Sequence, residues 1–217
     1  HKPKSNHFGN RKFFKLKIMN ILITGGCGYT GTLLTRDLIE LGHNITVVDT
    51  QWFGNYLTPQ KNLKILKLDV RDYSKIPLEK IDTVIHLANI ANDPSVELNS
   101  KLSWEVNVLA TQRLIENSIN NKVKHFIFAS SGSVYGVKKE EKVTEELSLI
   151  PISTYNKTKM IAERVLQSYK DKIKIHIIRP ATVCGFSPRM RLDVSVNMFA
   201  FQALKFQSMS VFGGDQV

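Results

Sequence analysis

From Met19 onward, short apolar runs alternate with amphipathic stretches. Residues 20–24, 44–48, 63–68, 83–87, 125–129 and 173–178 are brief, aliphatic and β-branched, the mark of strands buried on both faces. Between them, apolar positions recur at helical spacing over 30–41, over a long stretch at 98–121, and over 157–169. Strands separated by helices at this rhythm pair in parallel through right-handed crossovers. The pattern therefore predicts an α/β fold, a doubly wound parallel sheet of the Rossmann type with helices on both faces. After Arg179 and Pro180 the texture changes. A loop at 185–191 rich in Gly, Pro and Arg leads to a predicted apolar helix at 195–206 and a short predicted strand at 209–212. We read residues 1–18 as a basic flexible leader, 19–185 as the Rossmann domain, and 186–217 as the beginning of a small C-terminal substrate domain.

Composition changes this picture little. The chain has 217 residues, 42% of them hydrophobic and 23% charged, and no apolar run approaches the roughly 18 residues of a membrane span. The formal net charge of +11 would suggest a nucleic-acid or anionic partner if it were spread over the body. Six of the basic residues, however, lie in the leader, which has no acid, and the remainder carries 24 basic and 19 acidic residues. We expect neither nucleic acid nor membrane as a partner. The two cysteines, Cys27 and Cys184, form no metal-ligand spacing and no disulfide framework, which suits a reducing, cytoplasmic location.

In open parallel sheets ligands bind beyond the carboxyl ends of the strands, so the residues after each strand carry the candidate chemistry. The first strand runs into Thr24-Gly25-Gly26-Cys27-Gly28-Tyr29-Thr30-Gly31 and directly into a helix. Gly25 permits the tight turn, Gly28 lets a pyrophosphate approach the helix N-terminus, and Gly31 allows helix and strand to pack closely. Asp49 ends the second strand, 18 residues after Gly31. There it can accept bonds from an adenosine ribose and repel a 2′-phosphate, which favours NAD over NADP. Asp69, after the third strand, is placed to accept from the adenine amino group. Leu87 and Ala88, after the fourth, are small enough for a dinucleotide to pass over, while His86 reads as a packed histidine. Tyr155 and Lys159 share one helix face, where a neighbouring ammonium favours the phenolate of a tyrosine acting as base.

Taken in order, the Gly25, Gly28 and Gly31 spacing, Asp49, Asp69-Val70, His86-Leu87-Ala88, Asn107, the run from Ser130 to Gly136, Tyr155-x-x-x-Lys159 and the run from Arg179 to Gly185 resemble the extended short-chain dehydrogenases/reductases. Within that group the chain is similar to the NAD-dependent epimerase/dehydratase family that acts on nucleotide sugars. The resemblance implies that Tyr29, Thr30, Val70 and Pro180 join the cofactor residues, with Lys159 also reaching the nicotinamide ribose. It implies that Ser131 bonds the reacting sugar oxygen beside Tyr155, that Ser133 faces the substrate, and that Asn107 bonds backbone near the active-site helix. Ser130 is expected to cap backbone groups and Tyr135 to pack or to wall the pocket. Asn197 and Arg189, with Arg191, are read either at the nucleotide diphosphate or as solvated loop residues, and Trp52, Phe53 and Asn55 either at the adenine end or as a packed aromatic loop.

Gly132 and Ser133 stand where relatives that dehydrate or decarboxylate their sugar carry an acid, and Thr182 stands where many sugar epimerases have a substrate-binding Asn. The expected activity is thus NAD-dependent epimerisation of a nucleotide sugar through a 4-keto intermediate, in a homodimer with no metal. Alternatives are a nucleotide-sugar dehydrogenase or ketoreductase, and an NAD-binding regulator without turnover. Family chains usually continue well past the Gly213-Gly214 region, so only part of the substrate domain is expected here, and this form is expected to be inactive if truncated.

Overall fold

The structure is a computed structural model that describes residues 17–91 and 93–211. The predicted leader lies almost entirely outside the described residues. Six parallel strands, β1 (Asn20–Thr24), β2 (Asn44–Asp49), β3 (Leu63–Lys67), β4 (Thr83–His86), β5 (His125–Ala129) and β6 (Lys174–Ile178), form one sheet in the order β3-β2-β1-β4-β5-β6. The order reverses between β1 and β4, and the crevice at their carboxyl ends is the switch point where ligands bind in such sheets. This is the doubly wound Rossmann arrangement expected from the strand and helix rhythm.

The central strands are apolar through their middles because both faces are covered. On one face Leu22, Val84, Phe126 and Phe128 pack with Leu114 and Ile115 of α4 (Ala110–Asn120) and Ala162 and Leu166 of α5 (Thr154–Gln167). On the other, Ile21, Ile23, Ile45, Val47 and Ile85 pack with Ile39 of α1 (Tyr29–Glu40). No helix among the described residues is long and apolar enough to cross a membrane.

Two expectations need correction. The single helix predicted over 98–121 is instead a series: α2 (Asp93–Leu98), α3 (Ser100–Trp104), a π-helical turn at Glu105–Leu109, and then α4. Asn99 breaks the first junction by capping α3, its side-chain oxygen accepting from the Leu102 amide at 2.9 Å. The wide turn holds Asn107, whose buried amide faces inward and takes bonds that an ordinary helical turn would aim elsewhere. Hydrophobic periodicity is blind to such a one-residue widening. The strand predicted at 209–212 is also not formed: Met209 and Val211 are exposed and lie in no ladder, and Phe212 is outside the described residues. The predicted helix at 195–206 is present as α6 (Ser195–Phe206).

His86 is a core residue. Its ring nitrogens face the Thr24 and Thr111 hydroxyls at 2.6 and 2.8 Å, and burial, helped by the Lys159 charge, pushes its pKa down to about 3. The folded value lies below the ordinary one, so the contribution to stability is whole above about pH 6.5 and is lost as pH falls from there. Urea unfolding should show stability declining below about pH 6 by up to about 1.4 kcal/mol per pH unit from this group. In His86→Gln that slope should flatten. An unchanged slope would mean that another group governs the acid limb.

Candidate active site

The glycine loop is shaped by backbone contacts. Gly25 has φ +76° and donates to the Val48 carbonyl at 2.8 Å, and a Cβ there would lie 2.6 Å from the Ala88 nitrogen. At Gly31 a Cβ would collide with the Gly25 carbonyl oxygen and sit 2.7 Å from the Gly26 Cα. These two positions let the start of α1 press against the ends of β1 and β4. Gly28, at the N-cap, is extended and offers no side-chain acceptor, and the first turn carries no acid. Thr30 lies exposed on that turn. Free amides and the positive end of the helix dipole therefore point into the crevice, a cradle that fits the diphosphate of a dinucleotide.

Asp49 does more than its sequence position suggests. One carboxylate oxygen accepts from the Cys27 amide at 3.0 Å and the other from the Gln51 amide at 2.7 Å, so the residue braces both the glycine loop and the turn after β2. Each oxygen keeps a further lone pair for a ribose hydroxyl. The Cys27 thiol is buried beside it, and burial together with the Asp49 charge pushes its pKa up to about 12, so it is not a reactive thiol. Asp69 is held by Arg71, which sequence reasoning did not single out. Arg71 bonds one carboxylate oxygen through its amide (2.8 Å) and Nε (3.1 Å), the other through Nη2 (2.9 Å), and reaches Glu105 at 3.1 Å. Burial alone would raise the Asp69 pKa, but these bonds outweigh it and hold the carboxyl below its usual range. Val70 is buried with Ile90, Val96 and Val106, and Ala88 and Tyr155 pack against that cluster.

At the chemical end, Tyr155, Lys159 and Glu163 fall at i, i+4 and i+8 on α5, one stripe of the helix. Ser153 starts the helix by accepting from the Asn156 amide at 3.2 Å. Lys159 is buried, donates to the Ala129 carbonyl at 2.8 Å, and stands 4.8 Å from the Phe128 ring centroid and 5.9 Å from that of Tyr155. Burial brings its pKa down to about 7, against an opposing pull from Glu163. Ser131 and Ser133 share a hydroxyl contact at 2.7 Å, and Ser133 donates to the Asn156 side-chain oxygen at 2.6 Å. Asn107 exchanges bonds with the Ile90 main chain, accepting at 2.8 Å and donating at 3.2 Å, and donates to Thr158 of α5 at 3.1 Å.

Ser130 departs from its expected role. Its hydroxyl donates to Glu163 and not to backbone. Glu163 is also bound by Arg179 through Nε (3.0 and 3.2 Å) and Nη2 (2.6 Å), and Arg179 donates to the Tyr135 hydroxyl at 2.8 Å. Those bonds hold the guanidinium pKa above its usual range. Tyr135 is thus a polar partner as well as a packed ring. Glu163 has a signal that was available, its i+8 spacing from Tyr155, but nothing in the sequence shows that its partner lies at the end of β6. Pro180, next to Arg179, accepts from the Gly132 amide at 2.8 Å.

Of the residues expected at the substrate, Ser131 and Ser133 lie beside α5 and Tyr155 on it, while Asn197 and Arg189 belong to the segment after β6. Asn197 is buried and its amide is committed: the oxygen accepts from the Gly185 amide at 2.8 Å, and the nitrogen donates to the Tyr29 hydroxyl at 3.0 Å and the Arg191 carbonyl at 2.9 Å. Tyr29 donates onward to the Gly185 carbonyl at 2.6 Å, and Ser187 to the Tyr29 carbonyl at 2.8 Å. This network staples the segment after β6 across the start of α1. Arg189 stacks 3.9 Å from the Phe53 ring centroid, near enough to Asp49 to feel its charge, so it sits toward the Asp49 side of the crevice. Phe53, Tyr56 and Arg191 join it around a cavity of about 280 Å³.

Comparison with known proteins places this site in context. The NAD dependent epimerase/dehydratase family matches residues 21–215. An uncharacterised UDP-glucose epimerase of Bacillus subtilis is 34% identical over 215 residues, covering 91% of this chain and 66% of its own. The structure of a UDP-N-acetylglucosamine 4-epimerase from Methanobrevibacter ruminantium, in complex with UDP-N-acetylmuramic acid, superposes with a TM-score of 0.80 at 26% identity, covering 91% of this chain and 66% of that one. The UDP-glucose 4-epimerase of Thermus thermophilus in complex with NAD gives 0.75 at 27%, covering 85% and 61%. The chain therefore spans between 61% and 66% of the length of these three proteins.

The backbone contacts of the glycine loop yield a graded expectation. Gly31→Ala meets main chain that cannot give way and should cost about 1–3 kcal/mol or more in urea unfolding, while Gly28→Ala, whose nearest contact would be 3.2 Å, should cost distinctly less. Equal losses would show that the Gly25 to Gly31 approach does not set the loop.

Proposed function

Because the chain belongs to the NAD dependent epimerase/dehydratase family, we propose that it binds NAD across the switch-point crevice and epimerises a nucleotide sugar through a 4-keto form. The observation that carries this reading is the α5 stripe: Tyr155 packs against the same buried cluster as Ala88, and one turn on, Lys159 is anchored to the carbonyl of Ala129, two residues before Ser131. The crevice fits the cofactor, since the close backbone approaches at Gly25 and Gly31 hold the N-terminus of α1, with no acid in its first turn, at the crevice. Gly25, Gly28, Thr30 and Gly31 would hold its diphosphate, Asp49 its adenosine ribose, and Asp69 and Val70 its adenine. Leu87, Ala88 and Pro180 would lie along it, and Lys159 at the second ribose. When bound, NAD supplies the acceptance and return of hydride that oxidation and re-reduction of a sugar carbon require.

The chain's own residues manage the proton. Ser131 and Tyr155 hold the sugar hydroxyl, Tyr155 takes its proton as the carbonyl forms, and it returns that proton as the carbonyl is reduced. Lys159 as an ammonium lowers the cost of the phenolate. Gly132 and Ser133 supply no further acid or base, which suits an isomerisation that neither loses water nor carbon dioxide. The Tyr29, Gly185 and Asn197 staple gives Tyr29 and Asn197 a structural part here, in keeping with their burial, while Arg189 serves the adenosine side.

The activity is tested by incubating the chain, and a longer form that extends past residue 217, with a panel of nucleotide sugars with and without added NAD. An isomer of unchanged mass is the expected product, and loss of water or carbon dioxide would overturn the reading. Tyr155→Phe should lower turnover by about 10²–10⁴-fold with NAD still bound. Asp49→Ala should weaken NAD by about 1.5–3 kcal/mol, the range of a hydrogen bond to a charged group, and should narrow the preference over NADP. A wild-type preference for NADP would refute the role given to Asp49.

A further inference from the structure

Glu163 has no part in the roles above, yet it is almost fully buried, 1% exposed, and gathers three separate pieces of the site. Its carboxylate accepts from Ser130, the residue between Ala129, which anchors Lys159, and Ser131. It forms a two-pronged pair with Arg179 at the end of β6, adjacent to Pro180. Through Arg179 it reaches Tyr135, in the 3-10 turn at Gly132–Tyr135 that Ser131 caps. A buried ion pair of this kind is weak evidence for stability, because its desolvation cost is close to its Coulombic gain. What it provides is position and charge.

We propose that Glu163 is a positioning residue of this site: it locks the Ser130–Ser131 bend and the end of β6 onto α5, and its negative charge lies one helical turn from Lys159, where it favours the ammonium. The proposal rests on the reading of Lys159 as a cofactor and catalytic residue. The groups facing Lys159 are few. Tyr155 and Glu163 share its helix, neutral His86 comes from β4, and the Phe128 ring and Ala129 carbonyl come from β5. Arg179 acts on it from the end of β6 through the Glu163 pair. Burial draws the Lys159 pKa down to about 7, and Glu163 is the charge that opposes the fall. Without that charge, the ammonium form of Lys159 would be disfavoured further.

The sign follows from the depressed value. Lys159 is protonated below about pH 7, so NAD affinity, which gains from the ammonium, should fall as pH rises through that value, and Lys159→Met should abolish the limb. The test is calorimetric titration of the chain with NAD from about pH 5.5 to about 9.5. In Glu163→Gln the midpoint should move down by about one pH unit, with affinity near wild type at the acid end and about fivefold weaker near pH 7. Glu163→Asp, which keeps the charge, should return the midpoint toward wild type. Arg179→Gln, which removes the neighbouring positive charge and leaves an amide donor, should move it up, and carries the test if Glu163→Gln does not fold. A purely structural role would weaken binding at every pH and shift neither midpoint. If the wild type shows no limb that Lys159→Met removes, the Lys159 assignment fails and this inference with it. If the limb is present and neither Glu163→Gln nor Arg179→Gln displaces it, the Lys159 assignment stands and the inference is overturned.

Discussion

Two backbone approaches, Gly31 to the Gly25 carbonyl and Gly25 to the Ala88 nitrogen, decide how closely α1 can sit to the switch point of the sheet. A side chain at either position would push the helix away from the strand ends and tilt its N-terminus out of the crevice. With no Cβ there, the free amides of the first turn are held over the gap between β1 and β4. Asp49 then fastens the loop from the neighbouring strand by accepting from Cys27. The anion-binding geometry is thus a packing result before it is an electrostatic one.

The chemical end is organised by burial of ionisable groups in a graded way. His86 is forced neutral between two threonine hydroxyls, Lys159 is brought near neutrality, and Glu163 and Arg179 remain a charged pair because each satisfies the other's hydrogen-bonding capacity. Moving any one of these charges into water would change the field at the others, since screening is weak inside the fold. The wide helical turn at Glu105–Leu109 belongs to the same arrangement. It delivers Asn107 to the Ile90 main chain and to Thr158, next to Lys159 in sequence, so the segment before α4 and α5 are held in one register.

The segment after β6 is bound to the start of α1. Tyr29, at the start of α1, bonds Gly185 and Asn197 through its hydroxyl and Ser187 through its carbonyl. Arg189 stacks on Phe53 from the turn after β2. In contrast, Phe201, Leu204 and Phe206 of α6 face outward among the described residues. The crevice and the segment that follows the sheet therefore share one hydrogen-bonded frame.

Periodicity and turn chemistry by themselves determined the sheet, its parallel order and the residues at its carboxyl ends, because strand burial, helix amphipathicity and glycine turns are local properties written at fixed spacing. The glycine loop, Asp49 and the Tyr155–Lys159 stripe were legible for that reason. What only the tertiary structure decided are the partnerships between distant segments. Nothing near Glu163 in the sequence announces Ser130 or Arg179, nothing near Asn197 announces Tyr29, and nothing near Asn107 announces the Ile90 main chain that it bonds. Burial then set the protonation of Lys159 and His86, a quantity that depends on the water each group loses on folding, and so on every element packed around it.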